Sequence, residues 1–221
     1  MKIFLNGGGA DIQTIEARQR LNNMIDHTKP LLYIPLAMER ERYPDCMKWI
    51  KEELSNLEIP GIDMVTSADE ITDRDLSGYC AIFIGGGNTF KLLYELKISG
   101  AFEKIKTYIE EDGIVFGGSA GTIIFGESLE SCKLDDENKV GLEDIRGFDV
   151  LDGISFLCHY YDSTEEMGQE KKNYLLELSK QRKIIALPEE DTLFVNGDEI
   201  EFIGSKPYYV FEKGVVKERA E

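Results

Sequence analysis

Short β-branched runs that end in glycine and precede helical runs constrain the fold of this chain most strongly. The run "YCAIFIGGG" spans residues 79–87, "GIVFGG" spans residues 113–118, and both are apolar almost throughout. Strands without polar alternation are typical of a parallel sheet whose two faces are both covered. Strands and helices that alternate along a chain form βαβ units, whose crossovers are right-handed in nearly all proteins. The pattern therefore predicts an α/β fold with a mostly parallel central sheet and helices on both faces.

The C-terminal part of the chain follows a different pattern. Asn196-Gly197 lies between the two strand-like runs of "TLFVNGDEIEFIG". This dipeptide is typical of a type I′ hairpin turn, because that turn needs positive φ at both central residues. The segment "YYVFEKGVV" indicates one more pair of strands. We therefore expect C-terminal β-hairpins that form an antiparallel edge, within a single domain spanning residues 1–221.

Composition and charge exclude several classes of function. The 221 residues are 42% hydrophobic and 30% charged, which is typical of a globular chain. Forty-two acidic against 25 basic residues give a net charge of −17, which repels nucleic acid and anionic membranes. No apolar run reaches the length of a membrane span, and the apolar start "MKIFL" is too short for a signal peptide. We expect a cytoplasmic protein that binds neither nucleic acid nor membrane.

The cysteines and histidines do not indicate a metal site. The four cysteines are far apart in sequence and form no C-x-x-C pair: Cys46, Cys80, Cys132 and Cys158. Only two histidines are present to join them as ligands. We therefore expect neither a zinc site nor a disulfide framework.

The stretch "GIVFGGSAGTIIFG", residues 113–126, contains the main candidate for a catalytic residue, Ser119. Its centre, Gly117-Gly118-Ser119-Ala120-Gly121, fits the G-x-S-x-G pattern of a nucleophile elbow. In such an elbow a strained turn exposes the serine, and the N–H of Ala120 is available to an oxyanion. The same residues also fit a tight strand-to-helix junction at which Ser119 merely caps the helix. The motif alone does not separate these interpretations.

A nucleophilic serine needs a base, and histidine is the usual base at neutral pH. His27 lies in "MIDHTKP", at a predicted helix end, where an interaction with the helix dipole explains it. His159 lies in "SFLCHYYD", at the end of a predicted parallel strand, where α/β sheets build their sites. His159 is the better candidate, and a buried, hydrogen-bonded structural histidine is the alternative.

Two regions offer the carboxylate that would orient this histidine. The segment "KLDDENKVGLEDIRGFDVLD" has the features of a solvated loop and offers Asp135, Asp136, Asp144, Asp149 and Asp152. The segment "ALPEEDT" follows the apolar run "KIIAL" and offers Glu189, Glu190 and Asp191. The second region is favoured because it lies at the end of a predicted strand. Composition does not separate Glu189 from Glu190.

A second glycine cluster, "IFIGGGNT" at residues 82–89, ends another strand just before a helix. It lacks the G-x-G-x-x-G spacing of a dinucleotide site and the lysine of a P-loop. Backbone N–H groups at this turn are candidates for a second oxyanion donor. A close helix-strand packing turn is the structural alternative.

Taken together and in this order, four segments resemble the peptidase E and cyanophycinase family of serine peptidases: "IFIGGGNTF", "GGSAGT", "FLCHYYD" and "ALPEEDT". The resemblance implies a flavodoxin-like α/β fold, a three-layer sandwich, with a Ser-His-Glu triad. By position it implies Ser119 as the nucleophile, His159 as the base and Glu189 as the orienting acid. The glycine-rich turn of the family maps onto Gly85, Gly86, Gly87 and Asn88, with Gly87 as the second oxyanion donor and Gly86 and Asn88 near the substrate.

The chain departs from the family pattern at two positions. Members that cleave after an N-terminal aspartate are expected to carry an arginine on the helix after the histidine, and here the nearest match is Lys171. A lysine offers charge but no bidentate fork, which leaves aspartate specificity open. Thr122 stands where a smaller alanine or serine is expected, which predicts an altered pocket floor.

The resemblance therefore implies a serine exopeptidase that acts on dipeptides or short peptides, with an N-terminal aspartate as one option. A cyanophycinase-like hydrolase of β-aspartyl peptides is the nearest alternative. A non-catalytic protein that binds a small molecule on the same fold is the alternative from another class. We expect a small peptide substrate, no metal or organic cofactor, and a monomer or homodimer.

Overall fold

A computed structural model of the chain describes residues 1–161 and 166–219. The strands of the described part are β1 (Lys2–Asn6), β2 (Leu31–Ile34), β3 (Ile62–Met64), β4 (Ile82–Ile84), β5 (Ile114–Gly118), β6 (Ile154–Leu157), β7 (Lys183–Ala186), β8 (Thr192–Asn196), β9 (Glu199–Ile203), β10 (Tyr208–Glu212) and β11 (Val215–Arg219). Its α-helices are α1 (Ile15–Asn22), α2 (Tyr43–Glu53), α3 (Asp69–Asp73), α4 (Thr89–Ser99), α5 (Ala101–Glu110), α6 (Ala120–Ile123) and α7 (Glu166–Leu178). Among these residues no helix combines the length and apolar character needed to cross a membrane.

The central sheet has seven strands in the order β3-β2-β4-β5-β1-β8-β9. The first five are parallel to one another, and β8 and β9 add an antiparallel edge. The alternation of strands and helices along the sequence predicted a mostly parallel central sheet, and this prediction is confirmed. Because β4, β5 and β1 are neighbours, the turns that follow their carboxyl ends meet at one edge of the sheet.

The two faces of the central sheet bury two separate apolar layers. In β1, Phe4 packs into one layer while Ile3 and Leu5 pack into the other, as the period of two along a strand requires. Helices α1 and α2 cover the face of Phe4, through residues such as Leu21 and Ile50. Helices α4, α5 and α6 cover the opposite face. The layers are therefore helix, sheet and helix.

A second sheet was not anticipated from the sequence. Strands β6 and β7 are parallel to each other but pair with the C-terminal hairpin, in the order β11-β10-β7-β6. The expectation of one sheet with an antiparallel edge is therefore incomplete. An apolar run has the same composition whichever partner it pairs with, so the choice of sheet depends on contacts distant in sequence.

The two C-terminal hairpins use different turns. In the first, Asn196 still pairs with Glu199, so the loop residues are Gly197 and Asp198. Only Gly197 has positive φ (+61°), the pattern of a type II′ turn, so the predicted type I′ turn at Asn196-Gly197 is wrong. In the second hairpin Lys213 and Gly214 both have positive φ (+53° and +77°), as type I′ requires.

Candidate active site

Ser119 lies at the junction between β5 and α6 in a strained backbone conformation. Its φ of +54° and ψ of −114° fall outside the regions that a residue with a side chain normally occupies. The Ser119 hydroxyl makes no capping hydrogen bond to the helix, so capping does not account for this serine. The strained turn directs the side chain away from the strand, as a nucleophile elbow does.

The glycines of the G-x-S-x-G motif let α6 approach the sheet closely. A Cβ at Gly121 would collide with the backbone carbonyl of Ile84 on β4, and a Cβ at Gly117 would collide with the carbonyl of Gly121. Any side chain at these positions would push α6 away and move Ser119. The glycine spacing seen in the sequence is thus a packing requirement.

His159 is the histidine that the fold brings to the serine. It follows β6, and its Nε2 lies 2.8 Å from the Oγ of Ser119. The backbone N–H of His159 donates to the carbonyl of Gly7 (2.9 Å), which fixes the turn that carries the imidazole. His27 lies elsewhere, with its Nδ1 2.9 Å from the carbonyl oxygen of Glu58. The structure therefore separates the two histidines as the sequence argument did.

Glu189, which follows β7, lies on the other side of the imidazole. Its Oε1 is 2.9 Å from the Nδ1 of His159, and this hydrogen bond holds the pKa of the Glu189 carboxyl below its usual value. Glu190 instead accepts from the hydroxyl of Tyr161 (3.1 Å). Composition could not separate Glu189 from Glu190, but the geometry does, because only Glu189 contacts His159.

The acids of the 133–152 segment are engaged away from the imidazole. Asp135 pairs with Lys171, and Asp136 accepts from the backbone N–H of Thr89 (2.8 Å). Asp144 pairs with Lys97 and Arg146, whose hydrogen bonds hold the pKa of its carboxyl far below the usual value. This segment therefore supplies no partner for His159 among its described contacts.

Asn6, at the end of β1, links the parts of the site and was missed in the sequence. Its carbonyl accepts from the N–H of Ser119 (3.3 Å), and its Oδ1 accepts from the N–H of Gly8 (2.8 Å). Its Nδ2 donates to the hydroxyl of Thr192 (3.0 Å) and to the carbonyl of Asp191 (3.3 Å). The signal that could have identified Asn6 is its position as a polar residue that ends an apolar strand just before three glycines.

The second glycine cluster borders Ser119 at Gly86. A Cβ at Gly86 would lie 3.1 Å from the Cβ of Ser119, whereas Gly87 (φ +133°) packs against the carbonyl of Ala37. Among the described residues, the backbone N–H of neither glycine has an acceptor. The side chain of Asn88 caps α4 by accepting from the N–H of Lys91 (2.9 Å). The side chain of Asn88 is thus engaged in the fold, while the two N–H groups stay open to a ligand.

Lys171 and Thr122, the two residues that depart from the family pattern, both make contacts within the fold. Lys171, on α7, forms an ion pair with Asp135 and does not line the pocket beside Ser119. Thr122 is fully buried, and its hydroxyl lies 2.8 Å from the carbonyls of both Asn6 and Gly117. Thr122 therefore ties α6 to β1 and β5. It is not among the residues that line the pocket beside Ser119, so the prediction that it alters the pocket floor is wrong.

The site opens into a pocket of about 450 Å³ that Ser119 and His159 border. The aromatic rings of the pocket wall are Tyr33, Trp49, Phe83 and Phe116. Glycines on three turns, among them Gly8, Gly86 and Gly118, also line this pocket. A hydroxyl, an imidazole and a carboxylate joined in line by hydrogen bonds, beside an open pocket, form an arrangement suited to attack on a carbonyl.

Comparison with known proteins places the chain in a family. A model of peptidase family S51 matches residues 3–203. The chain belongs to peptidase family S51. It is 28% identical over 202 residues to the peptidase E of Shewanella amazonensis, covering 88% of this chain and 83% of that protein. It is 29% identical over 178 residues to an uncharacterized peptidase of Listeria monocytogenes, covering 78% of this chain and 84% of that one.

The fold of this S51 member also recurs in a solved structure. The crystal structure of a peptidase from an acI-B1 Actinobacterium superimposes with a TM-score of 0.73, covering 99% of this chain and 93% of the other. Identity between the two is 16%, so the likeness concerns the fold alone. Membership of family S51 makes the chain a serine-type peptidase, as the four sequence segments predicted.

Proposed function

We propose that the chain is a serine exopeptidase that hydrolyses dipeptides or short peptides through a triad of Ser119, His159 and Glu189. The observation that carries the proposal is the continuous line of two hydrogen bonds, 2.8 Å from Ser119 to His159 and 2.9 Å from His159 to Glu189. Relatives named peptidase E support a peptide as the substrate.

In this mechanism His159 takes the proton of the Ser119 hydroxyl while the oxygen attacks the peptide carbonyl. Glu189 accepts from Nδ1–H, so that Nε2 is the basic nitrogen, and it stabilises the imidazolium that forms. The lowered pKa of the Glu189 carboxyl keeps it ionised for this role. The imidazolium then protonates the leaving amine, and a water molecule releases the acyl group by the reverse sequence.

The tetrahedral oxyanion would be held by the backbone N–H groups of Ala120 and Gly87. Ala120 is the first residue of α6, where helical N–H groups lack partners inside the helix. Gly87 follows the turn that borders Ser119 at Gly86. Such donors matter because loss of one costs about 10²- to 10³-fold in turnover. In this proposal Gly86 lies next to the bound peptide, whereas the backbone N–H of Asn88 donates to Ala37 (2.9 Å) and its side chain caps α4, so the expected substrate contact of Asn88 is not part of the proposal.

The alternatives make different predictions. A β-aspartyl hydrolase uses the same triad and differs only in cleaving β-linked rather than α-linked aspartyl dipeptides. A non-catalytic binding protein has no need for the serine and the imidazole to be within hydrogen-bond reach, and here they are 2.8 Å apart. This contact favours the catalytic proposal.

The proposal is tested with a fluorophosphonate probe and a dipeptide library. We expect the probe to label Ser119 in the wild type, and labelling to be lost in Ser119→Ala and His159→Ala. His27→Ala is the matched control, because His27 is the other histidine and lies outside the site. Mass spectrometry of the library should show cleavage by the wild type and His27→Ala only. Cleavage that survives in Ser119→Ala would overturn the proposal.

A further inference from the structure

The pocket beside Ser119 has an aromatic wall. The Phe83 ring stacks on Phe116 with centroids 5.0 Å apart, and it meets Tyr33 and Trp49 edge-on at 5.9 and 6.0 Å. Gly118, immediately before the serine, faces Phe83: a Cβ there would lie 3.9 Å from its ring. The wall therefore begins one residue from the nucleophile.

The charged side chains deeper in this pocket neutralise one another. Arg18 and Glu53 are both buried, and Arg18 Nε lies 3.3 Å from a carboxylate oxygen of Glu53. Glu53 also accepts from the hydroxyl of Thr14 (2.6 Å) and from the N–H of Asp11 (2.8 Å), and Arg18 also donates to Asn56 (3.0 Å). Both groups are fully engaged, so a ligand charge would have to break a buried pair.

The remaining charges at the pocket belong to its rim and to the site. Arg42 and Asp45 are exposed and lie 3.2 Å apart as an ion pair. His159 is held by Glu189. Among the described lining residues, every cation therefore has an anionic partner. A carboxylate that entered would lose its water without gaining an unpaired cation, which disfavours acidic side chains.

We infer that this pocket binds a large apolar or aromatic side chain next to the scissile bond, and that the enzyme prefers such peptides over aspartyl peptides. Burial of apolar surface against aromatic rings favours this ligand, since it needs no polar partner. The volume of about 450 Å³ lies in the range of small-ligand pockets. The inference rests on the proposed function, since it names the substrate class of that same site.

Rates on paired dipeptides test the inference. We expect kcat/KM for phenylalanyl or leucyl dipeptides to exceed that for aspartyl dipeptides by at least about 10-fold, the discrimination typical of apolar pockets. The large residue is placed at the first and at the second position in separate peptides, because the better position shows which side of the scissile bond the pocket serves. Equal rates, or a preference for aspartate that Arg42→Gln abolishes, would overturn the inference.

Trp49 provides the matched variant. It is half-exposed on α2, so Trp49→Ala removes part of the pocket wall without opening the core. We expect it to lower kcat/KM at least about 10-fold for phenylalanyl peptides and less than about 2-fold for alanyl peptides. Ile98→Ala, on the exposed face of α4, is the control and should change neither rate. Equal losses on both peptides would contradict the assignment.

Binding to the pocket is measurable without turnover, because Trp49 is the one tryptophan of the chain. We expect phenylalanyl peptides, and not aspartyl peptides, to change the fluorescence of Ser119→Ala. If the fluorophosphonate probe fails to label Ser119 in the wild type but this selective change is seen, the proposed function fails and only the preference of the pocket for phenylalanyl peptides stands. Labelling without any selective change leaves the proposed function standing and overturns the pocket inference.

Discussion

At the scale of single residues, the two side chains that meet at the site both extend from strained backbone positions. Ser119 and His159 have φ of +54° and +53°, and neighbouring Gly8 has φ of +109°. Residues with side chains rarely adopt such values, because each costs of order 1–3 kcal/mol and persists only where the surrounding structure enforces it. Here the hydrogen bonds from Ser119 N–H to Asn6 and from His159 N–H to Gly7 supply that enforcement.

Gly8 gives the sharpest test of this geometry. A Cβ at Gly8 would collide with the imidazole of His159, so Gly8→Ala should displace the ring. We expect kcat/KM to fall about 10²-fold, as for other small misplacements of catalytic groups. Gly153→Ala is the matched control, because Gly153 also has positive φ (+81°) but faces open space. Full activity in Gly8→Ala, measured on the best dipeptide, would contradict the assignment.

Asp191 introduces a pH dependence of stability. Burial raises the pKa of its carboxyl to about 6. The folded state then binds the proton more tightly than the unfolded state, so this carboxyl lowers stability as pH rises from about 4 to about 6 and has no further effect above that. Asp191→Asn keeps the acceptor for the N–H of Lys206 and removes the titration.

Urea unfolding of both proteins across this pH range provides the measurement. We expect the wild type to lose stability relative to Asp191→Asn between pH 4 and pH 6 (roughly the window between the ordinary and raised pKa values). A difference between the two proteins that stays constant with pH would show that Asp191 titrates normally.

At the scale of elements, the β5-α6 junction carries Ser119, the proposed nucleophile, and the Thr122 side chain fixes this junction to β1 and β5. Thr122→Val removes a buried hydroxyl that lies within 2.8 Å of two backbone carbonyls. Loss of this hydrogen bonding should cost about 1–3 kcal/mol in the free energy of unfolding. Thr122→Ser keeps the hydroxyl and should cost less. A loss in Thr122→Ser as large as that in Thr122→Val, measured by urea unfolding, would show that the methyl group, which only the serine variant lacks, matters as much as the hydroxyl.

At the scale of the whole molecule, the site depends on both sheets. Ser119 follows β5 of the central sheet, whereas His159 and Glu189 follow β6 and β7 of the second sheet. The glycine turn after β1 joins them, since Gly7 N–H donates to Asp191 and Gly9 N–H donates to Glu189. The geometry of the proposed triad is therefore a property of how the two sheets pack.

The net charge of −17 also acts on the whole molecule. Like charges destabilise a compact state by mutual repulsion, and salt screens this repulsion. We therefore expect the thermal midpoint to rise when NaCl is increased from about 10 mM, where the Debye length is about 30 Å, to about 0.5 M. Sorbitol at matched osmolality is the control for non-ionic effects. A midpoint that falls with NaCl would show that attractive ion pairs outweigh the repulsion.

The local features of this protein follow from its sequence. Apolar runs without alternation indicate buried parallel strands, and the glycines around Ser119 indicate a strained turn, because both depend on neighbours along the chain. The order of strand, glycine turn and helix also placed Ser119, His159 and the Glu189 region at strand ends. The family resemblance of these segments is confirmed by the match to peptidase family S51.

Only the tertiary structure decided which side chains meet. Glu189 and Glu190 are neighbours of the same type, yet only Glu189 contacts His159, because successive residues leave the turn in different directions. The pairing of β7 with β6 and β10, the contacts of Asn6 with Asp191 and the pairing of Arg18 with Glu53 likewise join residues 23 or more positions apart. Composition and spacing report local preference, whereas partners distant in sequence are chosen by packing of the whole chain.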